Sequence, residues 1–351
     1  MEAETAKALL AMASAPSTHR KYLRSLSSIE QIFIRAPLPE VNIAPAYVER
    51  LQRWATQPNC HVIHLRDERY PEPLKHISDP PLVLFAHGDL RCLQARMVAI
   101  IGSRNASPVG QHTANYFARG LARSGLVVSS GLAKGIDAEA HRAALAEGKT
   151  LAVLGTGPDI YYPAHNRQLQ QQIMQSGLVI TEFAPGMPPK KDHFPRRNRI
   201  LSGLAELVVV IEAKYQSGTL VTAALAREQQ KTVMAVPGSI WNVAHSGCHK
   251  LLKEGAALAT TVDDILQELN LPPLHPSLTE ANGAQRVQIN SSRSLANRKL
   301  LANVGLEVTS IDTIVARSGL PVATVTEQLV LLELEGHVTS VTGGYIKMGR
   351  R

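Results

Sequence analysis

Between Met97 and Leu269 the chain repeats one unit: a short apolar run rich in β-branched residues, a glycine-containing turn, then a stretch of helical pattern. Few folds accept that alternation, because parallel strands need a long crossover and a helix supplies it. The apolar runs are Val98–Gly102, Leu126–Gly131, Leu151–Gly155, Leu178–Phe183, Leu207–Glu212 and Val233–Gly238. Each is apolar on both faces, as strands held between two helix layers must be. Helices are expected near Gln111–Arg123, Ala138–Glu147, Asn166–Gln175, Asn198–Leu204, Thr219–Gln230 and His249–Glu254. The pattern predicts an α/β fold with a doubly wound parallel sheet of six strands, whose ligands gather at the carboxyl ends of the strands.

The chain has 351 residues, and at roughly 150 residues per domain the sheet leaves room for further units. Residues 1–68 predict a small helical domain, and Tyr70-Pro71 through Asp79-Pro80-Pro81 to Gly88 an extended, proline-rich approach in which Pro80 and Pro81 forbid a helix. The sheet domain then covers residues 69–270. Residues 271–297, rich in Pro, Ser, Asn and Gln without an apolar period, read as a linker. Residues 298–351 predict a winged helix-turn-helix: helices over Ser310–Ala316 and Ala323–Glu335 around Ser318-Gly319-Leu320-Pro321, then a hairpin over Gly336–Met348 with Gly343-Gly344 at its tip.

Hydrophobic residues make up 44% and charged residues 19%, the balance of a globular chain. Lys and Arg outnumber Asp and Glu by 37 to 29, and the formal charge of +8 favours polyanionic partners. Cys60, Cys92 and Cys248 lie far apart with no CxxC pair, which argues against a disulfide framework or a cysteine zinc site and for a reducing cytoplasm. No apolar run approaches the roughly 20 residues of a membrane span. Ala8–Ala15 is small and apolar but follows Glu2 and Glu4 instead of a basic segment, so a short helix is expected there and not a signal peptide.

Three turns suit an anion. The first strand ends in Gly102-Ser103-Arg104, where backbone amides and a bidentate guanidinium can meet phosphate. The second leads into Ser130-Gly131-Leu132-Ala133-Lys134-Gly135-Ile136-Asp137, with Ser130 and Lys134 as donors and Asp137 as cap of the next helix. Ser217-Gly218-Thr219 opens a later helix. The most informative stretch is Lys190-Lys191-Asp192-His193-Phe194-Pro195-Arg196-Arg197-Asn198-Arg199, five cations against one acid with an aromatic among them. Cations neutralise phosphates while a protruding Phe stacks on an unpaired base, the combination used for single strands.

Other motifs carry less. Gly155-Thr156-Gly157 lacks the third glycine of a dinucleotide fingerprint, and Gly148-Lys149-Thr150 precedes its strand, opposite to a P-loop. Asp137 with His141 supplies two ligands, too few for a metal site, and His245-Ser246-Gly247-Cys248-His249 crowds three into one turn. No nucleophile stands beside its base, so no metal, cofactor or catalytic residue is expected.

In sequence order, Tyr70-Pro71 with Asp79-Pro80-Pro81, Val98–Arg104, Ser130–Asp137, Leu154–Gly157, Phe194–Arg199, Ser217–Thr219 and Pro237-Gly238 resemble the motifs of the DprA (Smf) DNA-processing proteins of bacterial transformation. The resemblance covers about residues 70–270. It implies an extended Rossmann-like domain that binds single-stranded DNA, forms a homodimer, protects incoming strands and loads RecA recombinase onto them, without catalysis. Carried across, it puts Arg104 on phosphate, Lys191, Arg196, Arg197 and Arg199 along the backbone, Asn198 among them, and Phe194 against a base. Family members often carry a lysine after the Tyr-Pro of the third-strand motif, where this chain has Ala164-His165 after Tyr162-Pro163.

The C-terminal unit resembles the winged helix of longer members, yet its recognition helix holds Glu327, Glu333 and Glu335 and no Lys or Arg. Such a helix repels phosphates, which points to protein contact or regulation, with Lys347, Arg350 and Arg351 as an auxiliary tail. The enzymatic alternative is a nucleotide-processing hydrolase resembling the phosphoribohydrolases, whose P-G-G-x-G-T-x-x-E motif has here Gly218-Thr219-Leu220-Val221-Thr222, a threonine in place of the acid. A sequence-specific transcription regulator is the third reading, and the acidic helix argues against it.

Overall fold

The computed structural model describes residues 1–15, 43–274, 300–305, 307–334 and 336–348. It divides into Met1–Pro276 and Ser277–Arg351.

In the first unit the elements run α1 (Ala3–Ser14), α2 (Pro45–Ala55), β1 (Cys60–His64), α3 (Glu72–Lys75), β2 (Val83–Gly88), β3 (Met97–Ile101), α4 (Pro108–Arg123), β4 (Val127–Ser130), α5 (Ile136–Leu145), β5 (Thr150–Val153), α6 (Arg167–Ser176), β6 (Leu178–Thr181), α7 (His193–Leu204), β7 (Leu207–Val210), α8 (Gly218–Glu228), β8 (Thr232–Ala235), α9 (Ser246–Lys253), β9 (Ala257–Leu258) and α10 (Val262–Glu268). The strands form one nine-stranded sheet in the order β1-β2-β6-β5-β4-β3-β7-β8-β9. From β6 to β9 every pair is parallel, so all six expected strands are present in a doubly wound, Rossmann-like sheet.

Three strands exceed the expectation. β1 pairs antiparallel with β2, and β2 antiparallel with β6, so the proline-rich approach ends by extending the sheet where only an extended lead-in was predicted. Leu82, Val83 and Phe85 bring one face of β2 against α1 and α2, with Trp54 edge-on to Phe85 at 6.0 Å. The helices expected in residues 1–68 thus share a core with the sheet's edge; residues 16–42 lie outside the described ones. The two-residue β9 closes the opposite edge.

One helix layer, with α7, α8 and α9, covers the face that presents Ala99, Ile101, Val208 and Val210; the other, with α4, α5 and α10, covers Val98, Ile100, Leu207 and Val209. Alternate residues of the same strands therefore point into opposite layers, and each fully buried Leu, Ile or Val contributes about 1.5–3 kcal/mol. Helix starts follow local chemistry: Ser107 caps α4 with Pro108 at its first turn, and Thr261 and Asp264 form a capping box on α10. Of the expected linker, residues 271–274 are described, with Leu274 N–H donating to Asp263 at 2.7 Å; residues 275–297 lie outside.

The second unit has α11 (Ile311–Ser318), α12 (Val322–Leu334), β10 (Val338–Val341) and β11 (Gly344–Lys347). Ser310 caps α11, and Gly319 ends it in the left-handed region at φ 67°. β10 and β11 pair antiparallel, and Leu300, Ile314, Val325, Leu329 and Val338 make a separate core. The winged-helix pattern is present. Arg350 and Arg351 lie outside the described residues.

Candidate nucleic-acid interface

β3 lies between β4 and β7, so the chain crosses over to opposite sides after those strands and their carboxyl ends part, which opens a crevice. A groove of about 640 Å³ lies there, walled by Gly102–Asn105 after β3, Lys191–Asn198 at the start of α7 and Lys214–Thr219 ahead of α8. It runs into a narrower recess of about 270 Å³ bounded by Gly131–Lys134, Leu154–Thr156 and Tyr162-Pro163. Arg104, Asn105, Ala133, Tyr162, Phe194 and Arg197 line both.

One of the three expected anion cradles, and the helix start that follows another, already hold the protein's own carboxylates. Glu212, at the end of β7 and fully buried, accepts from Ser107 N–H at 3.0 Å and from the Ser107 hydroxyl, while that hydroxyl accepts from Gly110 N–H at 3.0 Å. The amides at the start of α4 are therefore satisfied internally. In the second cradle the Asp137 carboxylate accepts from Ala133 N–H at 3.3 Å. Asp137 lies in the first turn of α5, whose N-cap is Gly135, so it does not cap that helix as the sequence predicted. Burial pushes its pKa up, against the opposing pull of Arg197. The third cradle is unfilled: the Ser217 hydroxyl at the start of α8 is buried and has no hydrogen-bond partner among the described residues, and nothing crowds Gly218.

The predicted donors separate into two groups. Ser130 is fully buried and donates to Ile100 O at 2.7 Å, so its hydroxyl is withdrawn from the groove. Thr219 donates to Gly102 O at 3.1 Å. Gly102 serves packing, since a Cβ there would lie 2.6 Å from the Ile136 side chain, and Ser103 O accepts from Ile136 N–H at 3.1 Å. The cluster on α7 turns mostly inward. Arg199, 8% exposed, makes a bidentate pair with Glu182 at 2.8 Å and reaches Asp79 at 3.2 Å. Arg196 bonds Glu182 at 2.7 Å and lies over Phe183. Arg197 donates to Gly131 O at 2.7 Å and to Val153 O, and its Nε donates to Asn198 Oδ1 at 3.1 Å. Burial, with Arg104 adding to it and Asp137 opposing, lowers Arg197 to about 10. Its guanidinium ties the ends of β4 and β5 to α7 and forms the floor where groove and recess meet.

What remains exposed is a ring of cations around an aromatic pair. Arg104, Lys134 and Lys191 are exposed, and Arg104 has no side-chain partner among the described residues. Phe194 is half-buried, with its ring 5.5 Å from that of the exposed Tyr162. Gly155 makes its place, because a Cβ there would meet the Phe194 ring at 2.9 Å. Two contributors escaped the sequence reading: Lys214 on the far wall, and Tyr162, whose exposure beside Pro163 no local pattern announces. Ala164 and His165, which follow Tyr162-Pro163, are exposed but do not line the groove. Asp137 lines the groove as a carboxylate, and Arg197 beside it opposes its charge.

No group of His, Cys, Asp and Glu among the described residues has metal-binding geometry. His141 Nδ1 lies 2.7 Å from Thr150 Oγ1, and Gly247 N–H donates to Ala213 O at 2.7 Å inside the first turn of α9. No described helix is long and apolar enough to cross a membrane.

Residues 61–270 match the family of DNA recombination-mediator protein A, and residues 285–344 match the DprA winged helix domain. The chain is 42% identical to protein Smf of Escherichia coli over 301 residues, 85% of this chain and 80% of that one. It is 47% identical to DNA processing protein DprA of Streptococcus pneumoniae over 203 residues, 58% of this chain and 72% of that one. The X-ray structure of the S. pneumoniae protein superposes with a TM-score of 0.61 at 39% identity, covering 71% of this chain and 86% of that one. A structure titled for the single-stranded DNA binding mode of DNA processing protein A from Helicobacter pylori superposes at 0.55 and 30% identity, covering 60% and 96%. With the matched motifs at the carboxyl ends of a doubly wound sheet and the winged helix following it, the chain belongs to the DprA/Smf family of DNA-processing proteins.

Proposed function

We propose that this chain binds single-stranded DNA along the groove after β3, as a binding protein and not a catalyst. Arg104 takes a phosphate bidentately, Lys134, Lys191 and Lys214 follow the backbone, and Phe194 with Tyr162 stacks on bases. Ser217 and Gly218, at the open start of α8, offer a second phosphate contact. Arg196, Arg197, Arg199, Ser130 and Thr219 act behind this surface by holding its walls. The observation that carries the reading is Arg104: an exposed guanidinium with no side-chain partner among the described residues, at the strand end where the sheet's crevice opens.

Family membership supports the wider role. The protein protects incoming strands in transformation and loads RecA recombinase onto them, as a homodimer in the cytoplasm. Three free, buried cysteines accord with a reducing compartment. The hydrolase reading finds no general acid here, since Thr222 stands at the expected position and Asp137 and Glu212 are engaged internally.

The test is fluorescence anisotropy with labelled oligo-dT, single and double stranded, at two salt concentrations. Wild type should prefer the single strand with a steep salt dependence. Arg104→Ala should lose most of the affinity, and Phe194→Ala should cost about 1–3 kcal/mol. Unchanged binding in both variants would reject the groove and direct attention to nucleotide hydrolysis.

A further inference from the structure

The loop between β8 and α9 carries the three most exposed large apolar side chains among the described residues: Trp241 at 86%, Ile240 at 79% and Val243 at 68%. None of them lines the groove. The loop is nevertheless built, with Trp241 N–H on Ser239 Oγ at 3.2 Å and Ala244 N–H on Asn242 Oδ1 at 3.0 Å. Placing a tryptophan so far into water has no use in folding, and aromatic exposure of this kind marks a contact surface.

Its position identifies the occupant. β7 and β8 are parallel neighbours, so the loops that follow them leave the sheet at the same carboxyl edge. The far end of the tryptophan loop is fastened to the groove wall: Tyr215 N–H donates to Ser246 Oγ at 3.0 Å and Gly247 N–H to Ala213 O at 2.7 Å. Lys214 belongs to the groove, and Tyr215 beside it is 59% exposed, with Lys250 Nζ 5.0 Å from its ring centroid. No acidic residue occurs between Pro237 and Lys250; Glu254 lies 3.7 Å from Lys250, and Glu212 is fully buried. Leaving the groove at Lys214, the surface thus offers a cation, an aromatic and a second cation, beside the loop that carries the exposed indole.

We propose that Tyr215 and Trp241 form a stacking platform that takes the bases of a single strand beyond the groove, so that the site is longer than the cavity. The proposal rests on the reading of the groove as a single-strand site. Interleaved cations and aromatics match a polyanion with unpaired bases better than an apolar protein partner.

The chain has two tryptophans, and Trp54 is 3% exposed, so Trp241 dominates any response of indole emission to a surface ligand. Full-length protein is titrated with oligo-dT of about 4 and about 16 nucleotides, spanning the usual range of single-strand sites. The long oligonucleotide should quench emission and the short one should not. Trp241→Phe should abolish the quench and keep most of the affinity, whereas Trp241→Ala should weaken the long oligonucleotide about 5-fold to 100-fold and leave the short one unchanged. Equal long-strand affinity in wild type and Trp241→Ala, without a quench, would overturn the platform. So would a blue shift of emission that grows with protein concentration and ignores DNA, which would make the patch a contact between copies. Arg104→Ala separates the two claims: if it leaves short-strand binding intact the groove reading fails, and the Trp241 variants still decide the platform.

Discussion

Arg199 and Glu182 face each other through two 2.8 Å contacts, with side chains 9% and 2% exposed. Arg196 joins the same carboxylate, so the richest basic motif of the sequence is in large part a brace that sets α7 against the end of β6. Removing one partner of a buried pair costs about 3–5 kcal/mol, and because Arg196 still meets Glu182 the lower end applies here. Arg199→Ala should therefore lower Tm by about 10 °C, whereas Arg104→Ala, at an exposed position, should stay within about 2 °C of wild type while losing DNA affinity. Thermal unfolding of the two variants, read beside their binding curves, checks the division. A stable Arg199→Ala that binds DNA weakly would refute it.

The remaining cations should act additively through the salt dependence. Each of Lys134, Lys191 and Lys214 that meets a phosphate contributes a slope of about 0.7 in log K against log salt on single strands. Lys→Gln at each should flatten the slope by about that amount and weaken binding alike for different sequences. Arg196→Gln, whose charge is already met by Glu182, should leave the slope close to wild type. A larger loss for Arg196 than for Lys191 would move the strand to the other side of α7.

A buried histidine makes the fold acid-sensitive. The Thr150 hydroxyl donates to Val128 O at 2.6 Å, so His141 Nδ1 must be the donor in its 2.7 Å contact with Thr150 Oγ1, which places the proton of the neutral ring on Nδ1. Burial, with Arg197 adding to it, lowers His141 from 6.5 to about 3. Between those values the unfolded chain holds a proton that the native one does not, so stability rises with pH: it is complete above 6.5 and is lost as pH falls toward 3. His141 alone gives a slope of up to about 1.4 kcal/mol per pH unit. His61, His64, His87 and His193 shift in the same direction, so the control is His141→Asn, which keeps a donor for Thr150. Denaturation midpoints from about pH 7 to about pH 5 should fall less steeply in that variant.

The sheet was legible because its six central strands are apolar on both faces and each is followed by a glycine-containing turn or loop. β1 was not: Cys60-His61-Val62-Ile63-His64 alternates weakly, and β2 follows closely on Pro80-Pro81, so β2 depends on pairing with a strand nearly a hundred residues away and β1 on pairing with β2. The site was half legible for the same reason. Arg104 and Phe194 could be chosen from local chemistry. That Arg199 meets Glu182 and Asp79, and that Asp137 fills one turn meant for phosphate while Glu212 takes Ser107 at the start of α4, are tertiary facts that no local spacing encodes. Helical spacing turns Arg199 inward once α7 starts at His193, a boundary that the expected start at Asn198 misplaces.

The winged helix supplies the last test. In α12 the buried positions Val325, Leu329 and Leu332 recur at helical spacing toward the small core, which leaves Val322, Glu327, Val330 and Leu331 exposed. Glu333 accepts from Ser340 N–H at 2.7 Å, and that bond holds its carboxyl below the ordinary glutamate range. The exposed surface of the would-be recognition helix is thus apolar and negative, with no Lys or Arg along α12 to release counterions from a duplex. Because the unit has its own core, a fragment spanning residues 295–351 can be assayed alone. Its affinity for duplex DNA should be weaker than about 10⁻⁴ M at physiological salt, below ordinary non-specific binding. Removal of residues 277–351 should correspondingly leave single-strand affinity of the sheet domain unchanged. Tight, salt-dependent duplex binding by the fragment would return this helix to the major groove, and the phosphate contacts would then have to come from cations outside α12, such as Arg317 and Lys347.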